Sequence, residues 1–245
     1  TIRSPLMREI VIEGTRNLLA AAACAGGPRV VFVSSVTAIN ATKTRSIMDE
    51  QTPFTLPAEP FVYATAKKEA EQICAAAAAG GLPVCIVNPC EVLGPEDHDF
   101  ITASYLRDTL KGWPAFATDG GTAVAHVEDI AAGIIAALHR GRAGERYILG
   151  GENLSIEEII GLTLELGGQR DKTIIKLPTV PTLWLVNRLA AWGLPTPVHP
   201  DLLAHGVLWW LVDSSKAERE LGYTTRPARE TLRSVVGWLQ EAGHV

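Results

Sequence analysis

A chain of 245 residues with 47% apolar side chains has enough hydrophobic surface to bury a sizeable core, as one large domain or a domain with a small lobe. Its formal charge of −5 and pI near 5.7, without any block of Lys or Arg, exclude the broad positive field that holds a phosphate backbone, so nucleic acid is not an expected partner. Cys24, Cys74, Cys85 and Cys90 make no CxxC pair and suit neither a zinc site nor a disulfide framework; they read as reduced, mostly buried thiols of a cytoplasmic protein, and no metal is expected.

The chain opens without a charged segment leading into an apolar one, so a secretory signal is not expected. Residues 5–25, "PLMREIVIEGTRNLLAAAACA", set apolar side chains at helical spacing, and Gly26-Gly27 end the pattern. "RVVFVSS" follows as a β-branched run, the kind of strand a parallel sheet buries on both faces. A loop with Pro53, Pro57 and Pro60 leads into the helix "YATAKKEAEQICAAAAAGG", and then into a second buried strand, "LPVCIVNP". "ITASYLRDTLKG" and "VEDIAAGIIAALHRG" read as helices, the second running on into a strand at "ERYILGG". Beyond Ser155 the order is a helix in "SIEEIIGLTLELGG", a strand in "KTIIKLP", mixed apolar helices, and a last helix in "RETLRSVVGWLQEA". The most apolar stretches, "VPTLWLVNRLAAWGL" and "HGVLWWLV", are too short, or too interrupted by Asn187 and Arg188, to span a bilayer. Their tryptophans, Trp184, Trp192, Trp209 and Trp210, are expected in a core between C-terminal helices, the alternative being an apolar pocket or a membrane-facing lid.

Helix, strand, helix, strand is the order of an α/β fold with a doubly wound parallel sheet and right-handed crossovers. Such a sheet normally announces a dinucleotide site by a G-x-G-x-x-G turn between its first strand and first helix, and this sequence contains no such turn.

The chemistry-bearing residues gather around the tyrosine helix. Tyr63 and Lys67 stand four apart, so phenol and ammonium share one helix face. There the ammonium is expected to favour the phenolate and draw the tyrosine pKa down from about 10, making a general acid/base. With four tyrosines in the chain, a Y-x-x-x-K spacing arises by accident in about one such sequence in ten, so its surroundings have to carry the argument. Ser34 and Ser35 end the first buried strand, where ligands bind in open α/β sheets, and Asn88-Pro89 end the second. Two strand tips and one helix therefore converge on a single cleft. The plain structural roles, Ser35 in a turn, Asn88-Pro89 as a strand stop and Tyr63 as a half-buried aromatic, remain open for each residue taken singly.

"EGTRNLLAAAACAGGPRVVFVSS", "YATAKKEAEQ", "GLPVCIVNPCEVLGPED", "HVEDIAAGIIAALHRGRAGERYILGGEN" and "SSKAERELGY" occur in that order, and together they resemble the NAD-dependent epimerase/dehydratase family. This is the extended branch of the short-chain dehydrogenases/reductases, and the nearest likeness is to its dihydroflavonol reductase-like members and hopanoid-associated sugar epimerases. The resemblance implies a partial Rossmann-like domain over residues 1–150, with substrate-lobe segments from about 90 to 125, and a small, mixed α/β substrate-binding lobe mainly over 151–245. It implies NAD or NADP as cofactor, a small apolar or sugar-like substrate, and a homodimer paired through the helices at 5–25 and 63–79. By the same resemblance Tyr63 moves the proton, Lys67 binds the nicotinamide ribose and tunes Tyr63, and Ser35 orients the substrate oxygen. Ser34 and the backbone of Asn88, Pro89 and Cys90 would lie against the cofactor, while His126 would anchor its loop. Ser35 is followed by Val36-Thr37-Ala38 where dehydratases carry acidic residues, which leaves a reductase or an epimerase.

Two departures qualify this. The family's usual Asn-Val-x-Gly-Thr reads Val11-Ile12-Glu13-Gly14-Thr15, so an asparagine of the proton relay is replaced by Val11. The family's first strands and glycine-rich turn have no counterpart, so weak dinucleotide binding and an open sheet edge at "RVVFV" are expected, as in a fragment of a longer enzyme. The alternative is a non-catalytic or truncated member that binds a partner as a scaffold.

Overall fold

The computed structural model describes residues 5–112, 114–194 and 200–245. Residues 1–4, 113 and 195–199, which fall inside the two expected units, lie outside the described residues.

The chain starts with helix α1 (Pro5–Cys24), which takes its proline at the first position, where a missing N–H costs nothing. It stops where Gly26 and Gly27 take positive φ and the Gly27 N–H returns to the Ala22 carbonyl at 3.0 Å. β1 (Val30–Val33), α2 (Val62–Ala79), β3 (Val84–Pro89), α4 (Val127–Arg140) and β7 (Arg146–Leu149) form the first layer system. Between them lie β2 (Ile47–Met48), β4 (Glu91–Leu93), α3 (Ser104–Lys111), β5 (Ala115–Ala117) and β6 (Gly121–His126). β1, β3 and β7 make a parallel sheet with β3 in the middle. Its six residues are all buried. Val84 and Ile86 pack with Leu19 and Cys74 of α1 and α2, while Cys85 and Val87 pack with Ala137 of α4 and with Tyr147. Helices thus cover both faces, as expected of a doubly wound sheet.

The C-terminal part holds β8 (Glu152–Ser155), α5 (Ile156–Leu166), β9 (Ile174–Lys176), α6 (Thr179–Ala191), α7 (Pro200–Gly206), β10 (Trp209–Val212), α8 (Ser215–Leu221) and α9 (Ala228–Glu241). α5 begins on a capping box, Ser155 with Glu158. A second sheet runs β2-β10-β6-β4 in parallel, with β8 antiparallel beside β6; β5 and β9 pair separately. Leu93, Val124, Leu106, Leu154, Ile159 and Leu232 join β4, β6 and β8 to α3, α5 and α9 in a second apolar cluster. β10 and α8 return to the first layer system, where Tyr223 just beyond α8 donates its hydroxyl to the Gly150 carbonyl at 2.7 Å.

Two expectations change. β1 is not buried on both faces, Val33 being 41% exposed; that it pairs only with β3 among the described residues is the open edge expected of it. The tryptophans do not share one core. Trp210 is buried, stacked on His205 and edge-on to Phe61, whereas Trp184 and Trp192 stand exposed on either side of the Arg188 guanidinium, 5.9 and 5.1 Å from it. α6 buries only Val186, so its other apolar side chains have no core to enter.

Candidate active site

The β1 strand ends at Val33 and the chain leaves it through Ser34 and Ser35. The Ser34 N–H extends the β ladder to the Val87 carbonyl at 2.8 Å. Ser35 caps the short 3-10 turn Val36–Ala38, where its Oγ accepts from the Thr37 N–H at 3.2 Å and the Thr37 hydroxyl at 3.0 Å. With both bonds coming in, the Ser35 proton is left to point elsewhere.

α2 presents Tyr63, Lys67 and Glu71 at successive i, i+4 positions. Lys67 Nζ donates to the Val33 carbonyl at 2.8 Å, pinning the helix face to the strand tip. The same ammonium lies 5.8 Å from the centre of the Tyr63 ring and 5.2 Å from that of Phe32. The expected fall in the Tyr63 pKa is not found. Burial raises it, and burial likewise lowers that of Lys67 against the opposing pull of Glu71. Desolvation of the phenolate outweighs an ammonium already engaged with a backbone carbonyl.

Below this pair lies a buried polar knot absent from the sequence reading. Glu71, 3% exposed, accepts from the Ser34 hydroxyl at 2.6 Å and from Asn88 Nδ2 at 2.5 Å on one oxygen, and from Arg146 at 3.1 Å on the other. Lys68 Nζ stands 3.6 Å away. Asn88 Nδ2 also donates to the Ser35 carbonyl at 2.9 Å, and Arg146 donates to the Glu50 carbonyl. A buried carboxylate needs such compensation, and here it ties α2, both strand tips and β7 into one rigid corner. The i+4 step from Lys67 to Glu71 is the signal that could have revealed it.

Ser35, Tyr63 and Lys67 therefore gather at the tips of β1 and β3. Ser34 and Asn88 belong to that corner too, but their polar groups are turned to Glu71. The Asn88 Oδ1 is buried without a hydrogen-bond partner. Pro89 pairs opposite Leu149, and the Cys90 N–H bonds the Leu149 carbonyl at 3.0 Å. Burial raises the Cys90 thiol pKa, so it is no nucleophile. His126 caps α4, its Nδ1 accepting from the Glu128 N–H at 3.2 Å, which is the anchoring role expected of it.

Next to this corner, Glu91 opens β4 and Tyr105 sits on α3. Burial pushes the Glu91 pKa up to about 7, and the Tyr105 hydroxyl is buried without a hydrogen-bond partner. Neither stood out in the sequence, since a lone Glu or Tyr carries no spacing signal.

A parallel sheet wrapped by helices, with serine and a Tyr-x-x-x-Lys helix at its strand tips, defines the class of extended short-chain dehydrogenases/reductases. The profile of the NAD dependent epimerase/dehydratase family matches residues 5–150. A dihydroflavonol 4-reductase-like protein of Synechocystis sp. is 34% identical over 99% of this chain and 73% of its own length. A ketoreductase of Stigmatella aurantiaca that acts on a farnesylated dihydroquinoline-1-oxide is 30% identical over 95% of this chain and 70% of its own. The crystal structure of gox2253 superposes with a TM-score of 0.84 at 31% identity, covering 100% of this chain and 76% of that one. The chain belongs to the NAD dependent epimerase/dehydratase family, on its dihydroflavonol reductase-like side.

Proposed function

We propose that the protein is an NAD(P)-dependent carbonyl reductase or epimerase in which Tyr63 exchanges the proton, Ser35 holds the substrate oxygen and Lys67 fixes the tyrosine face. The observation that supports this is the pinning of α2 to the β1 tip by the Lys67 ammonium on the Val33 carbonyl, two residues before Ser35 and one helical turn from Tyr63. When bound, the dinucleotide supplies or receives the hydride. Burial keeps Tyr63 protonated at neutral pH, which suits proton donation to a carbonyl oxygen as it gains electron density. The Ser35 hydroxyl, already accepting from Thr37, donates to that same oxygen and polarises it. The farnesylated substrate of the Stigmatella relative supports a fairly apolar ketone, and reduction over epimerisation.

The residues present fit the nicotinamide-ribose end of a dinucleotide: a lysine and a tyrosine on one helix face, beside strand tips whose backbone is held in place. The cradle for the pyrophosphate is not among the chain's residues, so the 245-residue chain is expected to bind weakly. Isothermal titration with NAD⁺ and NADPH tests this; a Kd tighter than about 100 µM, roughly −5.5 kcal/mol, overturns it. Tyr63→Phe in the whole gene product is expected to cost at least about 100-fold in kcat with dinucleotide affinity unchanged. An active Tyr63→Phe enzyme removes Tyr63 from the proton step.

Two structural assignments belong to the same proposal. Residues 1–150 form the cofactor-facing unit and 151–245 mainly the substrate lobe, with 90–125 contributing to the lobe through β4, α3 and β6. The chain pairs as a homodimer through α1 and α2. The second reading, a non-catalytic binding protein, is favoured by Val11 alone and would be supported by a whole gene product that binds dinucleotide yet turns over no ketone.

A further inference from the structure

We infer that Asn88 is a positioning residue for Ser35: its side-chain amide, held by Glu71, fixes the backbone from which the serine hydroxyl projects. This deepens the reductase reading and rests on it.

The three residues at the end of β1 are each bonded to the α2 row or to a group that row holds. The Val33 carbonyl accepts from Lys67 Nζ at 2.8 Å, the Ser34 hydroxyl donates to Glu71 at 2.6 Å, and the Ser35 carbonyl accepts from Asn88 Nδ2 at 2.9 Å. Lys67 and Glu71 stand one turn apart on α2, so the first two bonds follow from helix spacing. The third needs an intermediary from β3. Asn88 supplies it, since the nitrogen that donates to the Ser35 carbonyl also donates to Glu71 Oε1 at 2.5 Å.

Both neighbours of that nitrogen are acceptors, a carbonyl and a carboxylate, so the amide stands with its NH2 between them. The consequence shows at its other end, where Oδ1 of the fully buried Asn88 has no hydrogen-bond partner. An empty buried acceptor destabilises a fold, and an apolar side chain at this position would avoid that loss. What an apolar side chain could not do is join Glu71 to Ser35. The serine is fixed by its other contacts as well: its carbonyl accepts from the Ala38 N–H at 3.0 Å, closing the 3-10 turn, and its Oγ accepts from the Thr37 N–H and hydroxyl. The direction in which the Ser35 proton is donated is therefore set by how this turn sits, and Asn88 is what ties the turn to β3 and α2. A donor aimed at a reacting carbonyl loses most of its effect when displaced by about 1 Å.

The test is a double-mutant cycle on kcat in the whole gene product with NADPH, using acetophenone, benzylacetone and cyclohexanone as probe ketones. Ser35→Ala is expected to lower kcat about 100-fold. Asn88→Ala is expected to lower it about tenfold or more in the native background but less than about twofold in the Ser35→Ala background, because a misaligned hydroxyl matters only while the hydroxyl is present. The dinucleotide Kd of Asn88→Ala is expected to stay within about twofold of native. If Asn88→Ala does not fold, Asn88→Thr, which can donate only one of the two bonds, carries the same cycle; loss of folding in both overturns the positioning role. Equal losses in the two backgrounds overturn it too while leaving the reductase reading intact, and weakened dinucleotide binding with kcat unchanged makes Asn88 a cofactor contact instead. No turnover of any of the three ketones overturns the reductase reading, and this assignment with it.

Discussion

At the scale of single residues, the pKa of Tyr63, the proposed proton-transfer group, is set by burial more than by its neighbouring charge. Because the Tyr63 pKa is raised, its phenol is protonated across the neutral range, and the reductive direction needs that form. Ketone reduction is therefore expected to be flat from about pH 6 to 9, whereas oxidation of the alcohol needs the phenolate and should rise up to about tenfold per pH unit into the alkaline range. Steady-state pH profiles in both directions check this; an oxidation rate that levels off near neutrality would mean the tyrosine titrates there. The residues proposed for this chemistry were legible in the sequence, since Tyr63 and Lys67 share a helix face by spacing alone and Ser35 ends a β-branched run. The sign of the tyrosine shift was not. It depends on how deeply the phenol sits and on Lys67 already donating to Val33, and spacing reports neither.

At the scale of elements, the site is held by the Glu71 knot. Removing that carboxylate leaves Arg146, Lys68, the Ser34 hydroxyl and the Asn88 amide short of an acceptor in a buried corner. Glu71→Ala is expected to destabilise the fold by about 3–5 kcal/mol in urea unfolding, and Glu71→Gln by clearly less, because the amide oxygen still accepts from Ser34. Equal losses for the two variants would mean that packing, not the acceptor, is what Glu71 supplies. The long helices were legible because their apolar spacing and terminal glycine pairs or capping box, as at Gly26-Gly27, Gly80-Gly81 and Ser155, are local signals. The strands of the second sheet were not. "GTAVAH" of β6 is buried at all six residues and has no alternation, and the four residues of β10 sit inside an apolar run that reads equally well as a helix. Exposed Trp184 and Trp192 defied the core assignment for a related reason: which tryptophan is covered depends on where α6 lies, and its sequence pattern does not say.

At the scale of the whole molecule, α1 carries Leu6, Ile10 and Leu18 at 61%, 61% and 60% exposure, on one i+4 row with Gly14 between them and no atom close to the Gly14 position. Such a row on a helix already packed on α2 at its other side is an apolar surface fit for a second copy of itself across a two-fold axis. Ile10→Glu, which puts a charge in the middle of that row, is expected to shift the sedimentation of the native protein from dimer to monomer while leaving its circular dichroism unchanged. A native protein that sediments as a monomer, or an Ile10→Glu variant that stays dimeric, moves the subunit contact elsewhere.

The second sheet is assembled out of the order in which the ribosome delivers it. Its interior position between β2 and β6 is taken by β10, and the Trp209 carbonyl meets the Thr42 N–H across 167 residues of sequence. Until residues 209–212 emerge, β2 has no neighbour in this sheet, and Gly121 and Thr122 of β6 pair only with β8. The sheet therefore closes only after most of the chain has been made, which predicts slow, late consolidation of this half while the α1, α2 and β3 layer forms early from nearby segments. A nascent chain halted before Trp209 would hold a gap between β2 and β6, with the backbone groups of β2 left unpaired.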